Sequence, residues 1–481
     1  MKEKKYTKEE RDALRSKLAD KQVVVKEKKL PVIVMLEGFG AAGKGSAISS
    51  TIRFMDPRFF KVYNMDKITE EEERRPFLYR YAVKMPAQGQ FTFFDGGYID
   101  EIVKRSQNKK QMKQRIESMN NFERSMTDNG YLIVKIYLHV DKKTQKNRLK
   151  ELLEHKNTAW RVTKEDLEQN ENFEYYEEAY GKVREQTNTK CCPWHVLESA
   201  HLSDVEGEII SIITNAIDAR IAADEKNGKD RPLQQNPYTL LPATKLSKVS
   251  LQDKTIADDA YQEELKSLQK KLGKLHNKLY RKRIPLIVAY EGWDAAGKGG
   301  NIKRVASALD ARGYEVLPIA SPSPEEKARH FLYRFYTRLP KSGHIAIFDR
   351  TWYGRVMVER LEGFCSENDW QRAFHEMNEF EHDLTADGAI VVKFWVHIDK
   401  DTQLARFNDR QNTPEKQWKI TEEDWRNREK WDQYEVAIDE MIAKTNTDFA
   451  PWTILESNDK HYARIKALKT IIAAIEKRLE A

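Results

Sequence analysis

Short, uninterrupted apolar runs alternate along this chain with longer stretches in which apolar residues recur at helical spacing. In the second half of the chain the runs read LIVAYE, EVLPIA, HIAIFD, IVVKFWVHI and TILES. Continuous apolar runs are typical of strands buried on both faces, so they predict a parallel sheet covered by helices. The pattern therefore favours an α/β doubly wound fold, whose ligands bind at the carboxyl ends of the strands.

The same pattern occurs twice. PVIVMLEGFGAAGKG at 31–45 matches PLIVAYEGWDAAGKG at 285–299, an offset of 285 − 31 = 254. Further along, CPWHVLES at 192–199 faces APWTILES at 450–457, so the offset has grown to 450 − 192 = 258. An ordered match over most of both halves predicts an internal duplication.

The segment between the two copies is polar and contains several prolines, which indicates a linker. We therefore predict a first domain over 1–222, a linker over 223–256 and a second domain over 257–481.

Composition narrows the class of protein. Hydrophobic residues make up 40% and charged residues 33% of the 481 residues, and no apolar run approaches the roughly 20 residues that a membrane helix needs. The charged start MKEKKYTKEE lacks the apolar core of a signal peptide, and three cysteines make no disulfide framework. We expect a cytoplasmic protein with no membrane partner.

The net charge of +7 would suit a polyanionic ligand, but charge alone favours basic and acidic residues simply mixed over the surface. No nucleic-acid-binding motif is recognisable, so we expect no nucleic-acid partner.

The loop GWDAAGKGG follows the run LIVAYE and has the spacing of a P-loop. Gly292 and Gly297 would let the backbone approach a phosphate, the next helix would offer its N–H groups, and Lys298 would neutralise charge. An ordinary P-loop continues with a Ser or Thr that binds Mg²⁺, but Gly299 stands here. Asp294 inside the loop could anchor a metal instead, or accept a proton.

Asp349 ends the apolar run HIAIFD, as the carboxylate of a Walker-B strand should, and it could hold Mg²⁺. Arg350 and Arg355 follow closely and suit bidentate contact with phosphate oxygens, and Glu359 follows them. The alternative for Asp349 is a helix cap, which the neighbouring P-loop makes less attractive.

Basic residues nearer the C-terminus could close over transferring phosphates. Arg406 and Arg410 lie four apart, so a helix would place them on one face as a lid. A solvated helix face explains the same spacing equally well. Lys419, Lys460 and Arg464 are further candidates for contact with a polyanion.

Taken together, GWDAAGKGG, FDRTWYGRVMVERLEGF, QLARFNDR, WKITEEDW and APWTILESNDKHYARIK resemble the type-2 polyphosphate kinases. The resemblance covers nearly all of the second copy and, more weakly, the first. It implies two tandem P-loop kinase domains with a thymidylate-kinase-like fold, each a parallel five-stranded sheet covered by helices, with a helical lid. It also implies phosphate transfer that depends on Mg²⁺, with Mn²⁺ as a substitute.

The resemblance carries family roles onto matching positions. Catalytic roles fall to Asp294, Lys298, Asp349, Arg350, Glu359 and Arg406. Phosphate or nucleotide binding falls to Gly292, Gly297, Gly299, Arg355, Arg410, Lys419 and Lys460, and metal binding to Asp294 and Asp349.

Two-copy members of this family resemble enzymes that transfer the terminal phosphate of inorganic polyphosphate to AMP, forming ADP reversibly. The alternatives are a polyphosphate-dependent nucleoside diphosphate kinase, an ATP-using nucleoside monophosphate kinase of the same fold, and a regulatory nucleotide-binding protein. Polyphosphate and AMP are the expected partners, and homo-oligomerisation is left open.

The two copies differ where chemistry is expected. The first copy keeps a lysine, an aspartate and an arginine of the set, namely Lys44, Asp95 and Arg148. At an offset of 254, Asp294 faces Gly40, Arg350 faces Gly96, Arg355 faces Glu101 and Glu359 faces Arg105. These losses predict that only the second copy catalyses phosphate transfer.

Overall fold

A computed structural model describes residues 6–228 and 230–480 of the chain. The chain divides into two units. The first runs up to residue 70 and takes in 80–231 and 324–333, and the second comprises 71–79, 232–323 and 334–481. Each unit is built around one five-stranded sheet.

The first sheet is parallel throughout, with the strand order β2-β3-β1-β4-β5. Its strands are β1 (Val32–Gly38), β2 (Phe60–Asn64), β3 (Phe91–Asp95), β4 (Leu132–His139) and β5 (Trp194–Glu198). The chain leaves the central strand β1, forms the edge strand β2 and returns to β3 between them. This leaves a crevice at the carboxyl end of β1, where such folds bind ligands.

The second sheet repeats this topology, with the order β7-β8-β6-β9-β10, and is also parallel. Its strands are β6 (Leu286–Gly292), β7 (Tyr314–Pro318), β8 (Ile345–Asp349), β9 (Ile390–His397) and β10 (Trp452–Glu456). They coincide with the five predicted runs, so the predicted α/β fold with two five-stranded sheets is confirmed. β7 is an edge strand, which explains why it can end at Pro318.

Helices cover both sheets. In the first copy they are α1 (Lys8–Glu27), α2 (Lys44–Thr51), α3 (Glu70–Glu73), α4 (Tyr79–Ala82), α5 (Ile99–Arg105), α6 (Lys109–Asp128), α7 (Lys142–Glu154), α8 (Lys164–Glu171), α9 (Phe173–Gln186) and α10 (Leu202–Asn227). In the second copy they are α11 (Asp258–Lys282), α12 (Lys298–Ala306), α13 (Pro324–Lys327), α14 (Tyr333–Tyr336), α15 (Val358–Leu361), α16 (Glu367–Ala386), α17 (Lys400–Asn412), α18 (Glu422–Glu429), α19 (Trp431–Thr445) and α20 (Lys460–Glu480).

Short 3-10 helices lie at Ile52–Phe54, Pro57–Phe59, Ala159–Arg161, Leu246–Lys248, Trp352–Val356 and Pro414–Lys419. We call α17, the 3-10 helix Pro414–Lys419 and α18 the lid. Side-chain caps fix where its helices begin: Asp399 accepts from Thr402 N at the start of α17, and Thr421 and Asp424 form a capping box at α18. Such caps satisfy N–H groups that have no partner within the helix.

A buried ion pair joins the sheet to a helix in each unit. In the second, Lys393 Nζ donates to Glu381 Oε2 (2.7 Å) and to Tyr353 Oη (2.9 Å). In the first, Lys135 makes the same bonds to Glu123 and Tyr98. Burial lowers the pKa of Lys393, and Glu381 opposes this by favouring the ammonium form.

These equivalent tyrosines are 353 − 98 = 255 residues apart, so the offset of 254 already fails four residues after Asp349. The extra residues lie where the first copy continues directly into α5 and the second forms a 3-10 helix before α15. The pairing of Arg355 with Glu101 and of Glu359 with Arg105 is therefore wrong.

Two further features follow from the described residues. α10 continues to Asn227, five residues beyond the predicted domain end, and further along the chain Leu241 N donates to Asn446 O, just after α19. No described helix combines the length and the apolar character needed to cross a membrane.

Candidate active site

The loop between β6 and α12 has the geometry of a P-loop. A Cβ at Gly292 would lie 2.5 Å from the backbone oxygen of Val396, so only glycine fits there. Gly297 has φ +110° and caps α12, whose first residue is Lys298. The N-terminal N–H groups of α12 and the lysine therefore occupy the same end of the helix, an arrangement that suits a phosphate.

Two side chains of the loop, Lys298 and Trp293, hold it in place. Lys298 Nζ donates to the carbonyl oxygens of Gly292 (2.6 Å) and Trp293 (3.3 Å). The Trp293 ring stacks on Trp431, with centroids 3.6 Å apart, and its Nε1 donates to Nδ1 of His397 (3.1 Å). The loop is thus anchored to β9 and to α19.

Asp294 is held through both of its carboxylate oxygens. Oδ1 lies 3.6 Å from Nη2 of Arg350, and Oδ2 accepts from Nδ2 of Asn427 at 3.0 Å. Burial acts to lower the pKa of Arg350, but Asp294 and Glu291 outweigh it and raise that pKa. Because 52% of the Arg350 side chain is exposed, it can still reach a ligand.

Arg350 has φ +66°, in the left-handed region that non-glycine residues seldom adopt. The matching residue of the first copy, Gly96, has φ +88°. The fold therefore imposes this turn in both copies, and an arginine accepts the conformation only in the second. Strain of this kind concentrates at functional sites.

Asp349 ends β8 opposite Tyr290 in the parallel register, beside the end of β6. A side chain at Gly299 would meet nothing within 4 Å, so there is open space next to Lys298. Glu291 lies on β6, and its Oε1 accepts from Thr351 N (2.7 Å) and from Thr351 Oγ1 (2.8 Å). Burial raises the pKa of Glu291.

The guanidinium of Arg406 donates to four backbone carbonyl oxygens. Its Nη1 donates to Ala295 O and Ala296 O, both at 3.0 Å. Its Nη2 donates to Ser457 O (2.6 Å) and Asn458 O (3.1 Å). Arg406 thus joins the P-loop to the segment after β10.

Further basic side chains surround Arg406. Burial lowers the pKa of Arg406 to about 10, and Arg410 adds to the effect. Burial also lowers the pKa of Lys460, helped by Arg406 and Arg464. Arg464 extends to α12, where its Nη2 would lie 3.3 Å from a Cβ at Gly300. This positive cluster can attract an anion beside the P-loop.

The structure brings Asp294, Lys298, Arg350 and Asp349 to the carboxyl end of the second sheet. Arg355 and Glu359 pair with each other, with Nη1 and Oε2 3.1 Å apart. The side chain of Lys419 lies outside the part of the chain that the structure describes.

The first copy has the same P-loop backbone but a different charge around its lysine. Lys44 Nζ donates to Gly38 O (2.8 Å) and also lies 3.4 Å from Asp66 Oδ2. Burial alone would lower the pKa of Lys44, but Asp66 and Asp95 raise it above its usual value. Lys44 is therefore already neutralised by carboxylates. The residue that matches Asp66, at 66 + 254 = 320, is Ala320.

Carboxylates also fill the space that the missing side chains would need. A Cβ at Gly40 would lie 1.9 Å from Asp166 Oδ1, and one at Gly96 would lie 2.0 Å from Asp66 Oδ1. An aspartate and an arginine at these two positions would fit only if the side chains of Asp166 and Asp66 moved. In the first copy, the carboxylates of Asp166 and Asp66 occupy the space beside Gly40 and Gly96.

Sequence reasoning missed three contributors. Gln403 Nε2 donates to Asp294 O (3.1 Å), and the matching Gln145 donates to Gly40 O (3.1 Å). The repeated Thr-Gln of both copies was a usable signal for this pair, as the repeated glutamate was for Glu291. Asn427 had no such signal, because its contact depends on how α18 folds back.

The fold and the loop between β6 and α12 define a class: a P-loop kinase with two tandem domains. Residues 1–225 and 255–481 match the Polyphosphate kinase 2 (PPK2) family. The chain belongs to this family.

Relatives match along the whole chain. It is 38% identical over 476 residues to a polyphosphate:AMP phosphotransferase of Pseudomonas syringae pv. tomato, covering 97% of this chain and 94% of the relative. A protein of the same name from Acinetobacter johnsonii is 34% identical, with 92% and 91% covered.

A solved structure agrees with the fold. The crystal structure of a polyphosphate kinase 2 family protein from Pseudomonas aeruginosa PA01 has a TM-score of 0.83 and 36% identity, covering 98% of this chain and 96% of that one.

The contacts of Arg406 can be tested against its counterpart. Arg148 donates to the backbone oxygens of Ala41, Ala42, Ser199 and Ala200 in the first copy. We expect Arg406→Gln and Arg148→Gln each to lower the free energy of unfolding by about 1–3 kcal/mol, because carbonyl acceptors lose their donors. Urea and thermal unfolding measure this. A loss in neither variant would show that these bonds do not hold the loops.

Proposed function

We propose that the second copy transfers the terminal phosphate of inorganic polyphosphate to AMP, forming ADP, in a reaction that is reversible in principle. One observation carries the proposal: Asp294 and Arg350 pair at the second P-loop, where a Cβ next to Lys298 would meet nothing within 4 Å, whereas Asp66 lies 3.4 Å from Lys44 in the first. Similarity over the whole chain to relatives named polyphosphate:AMP phosphotransferase supports the choice of substrates.

The reaction is an in-line displacement. An oxygen of the AMP phosphate attacks the terminal phosphorus of the polymer, a new P–O bond forms, and the last phosphoanhydride bond breaks. The polymer leaves one phosphate shorter, with the electron pair on its new terminal oxygen. Lys298, Arg350 and the N–H groups at the start of α12 would stabilise the charge on the transferring group, since positioning and electrostatics dominate such catalysis.

Asp294 and Asp349 suit a magnesium ion, or manganese in its place. Mg²⁺ is usually held by one or two carboxylates together with water and substrate phosphates. The described residues contain no group of three or more His, Cys, Asp and Glu side chains that could hold a metal without substrate. The bound ion would neutralise phosphate oxygens; Asp294 could otherwise position or deprotonate the acceptor.

The donor is proposed to be polyphosphate rather than ATP. The positive cluster of Arg406, Arg410, Lys460 and Arg464 continues from the P-loop along α17 and α20, which suits a long polyanion. Gly299 also takes the place of the Ser or Thr by which ordinary P-loops bind the metal of ATP. The acceptor is proposed to be AMP, and Glu359, Arg355 and Lys419 remain proposed contacts of substrate or phosphate.

We further propose that the protein works in the cytoplasm with polyphosphate and AMP as its partners, and without nucleic acid. Whether the chain forms homo-oligomers is left open, as in the sequence analysis.

The substrates can be tested directly. With long-chain polyphosphate and Mg²⁺, we expect AMP to yield ADP faster than ADP yields ATP, and removal of divalent metal by EDTA to stop the reaction. Chromatographic separation of the nucleotides measures both. ATP with AMP is the comparison arm. Transfer from ATP but not from polyphosphate would contradict the proposal, and preference for ADP would favour the nucleoside diphosphate kinase.

The inequality of the copies gives a second test. Lys298→Ala or Asp294→Asn should lower kcat on the order of 10²-fold or more, because each removes a group that acts on the transferring phosphate. Lys44→Ala is the matched control and should leave kcat unchanged. Thermal unfolding must accompany it, since Lys44 is buried among carboxylates. Substantial activity in a folded variant carrying both Lys298→Ala and Asp294→Asn would overturn the assignment.

A further inference from the structure

A side chain of the lid reaches the P-loop carboxylate. Asn427, on α18, donates from Nδ2 to Oδ2 of Asp294 at 3.0 Å. The other oxygen of Asp294 faces Arg350, and only 17% of the Asp294 side chain is exposed. Its orientation therefore depends on two partners, one at the end of β8 and one on the lid.

The amide of Asn427 is itself oriented. Oη of Tyr434, on α19, lies 3.4 Å from Oδ1 of Asn427 and can donate to it. This leaves the NH₂ group of the amide to face the carboxylate, which accepts only. A bond from an N–H to an ionised carboxylate is stronger than one between neutral groups.

Other bonds fix the place of α18. Arg428 Nη1 donates to Lys400 O (2.7 Å) and to Gln403 Oε1 (3.1 Å), both on α17. Lys430, just after α18, donates to Glu362 Oε1 (2.7 Å). Gln403 in turn donates to the backbone oxygen of Asp294. Both lid helices therefore contact Asp294, α18 through Asn427 and α17 through Gln403.

The residue of the first copy that matches Asn427 is Gln169, since 427 − 258 = 169. Gln169 keeps an amide there, and its Oε1 accepts from Gly40 N at 3.1 Å. Its Nε2 donates to Tyr180 Oη (2.7 Å) and Asp100 Oδ1 (3.2 Å). The contact between lid and loop exists in both copies, but only the second has a loop carboxylate for the amide to hold.

We infer that Asn427 is a positioning residue for phosphate transfer: it holds the carboxylate of Asp294 in its working orientation while α18 is docked on the P-loop. Release of α18 frees one oxygen of Asp294, so the lid controls the loop carboxylate as well as access to the site. This inference rests on the proposed function of Asp294.

The kinetic test uses two substitutions of Asn427. Asn427→Ala removes the donor, and Asn427→Asp keeps the size of the side chain but presents a carboxylate to Asp294. Each should lower kcat about 10- to 100-fold, as loss of a supporting partner does at metal and catalytic sites. KM for AMP and polyphosphate should change little, because the lost orientation acts in the transition state. Gln169→Ala is the matched control and should leave kcat unchanged.

A second readout is independent of activity. Hydrogen exchange of residues 422–429 should quicken in Asn427→Ala and in Asp294→Ala, because each removes one side of the same bond. The double variant should exchange no faster than the faster single variant. Gln169→Ala should affect residues 164–171 alone, and unchanged exchange in the sheet strands would establish that each variant is folded.

The outcomes separate the two proposals. Turnover that survives Asp294→Asn would remove the proposed role of Asp294, and the inference with it. An inactive Asp294→Asn beside a fully active Asn427→Ala and Asn427→Asp would overturn the inference alone. So would a rise in KM with kcat intact, or full activity restored by the equal size of aspartate, since either would mean that Asn427 only helps to pack the lid.

Discussion

The site depends on how the backbone of one loop is held. Four carbonyl oxygens, two in the P-loop and two after β10, accept from the guanidinium of Arg406. These four bonds tie the backbone of the P-loop to the segment that follows β10. A lysine could supply the charge but not this planar set of donors, which explains an arginine at this position.

The same bonds recur around Arg148, yet the first copy has Gly40 and Gly96 where the second has Asp294 and Arg350. The two copies therefore share the bonds that hold the loop backbone but differ in the side chains around the loop. In the first copy Asp66 neutralises Lys44, and Asp66 and Asp166 fill the space that the arginine and the aspartate occupy in the second. Restoring the missing side chains would require Asp66 and Asp166 to move, so the two copies differ by more than the loss of individual residues.

The fold followed from the sequence because its signals are local. Apolar runs reported the buried strands, and the P-loop spacing together with Asp349 located the carboxyl end of the sheet. Contacts between residues that are distant in the sequence could not be predicted from such local signals. The helical spacing of Arg406 with Arg410 was correct, but it did not reveal that Arg406 binds backbone oxygens. Asn427 gave no signal, and the constant offset failed after Asp349 because a loop lengthened without a motif to mark it.

The central claim is that each chain has one working nucleotide site, in its second copy. The number of AMP molecules bound per chain at equilibrium, measured by calorimetric titration with Mg²⁺, tests it most directly. The account predicts one, with the binding of AMP unchanged by Lys44→Ala. Two AMP molecules per chain, or a single site that Lys44→Ala removes, would contradict it.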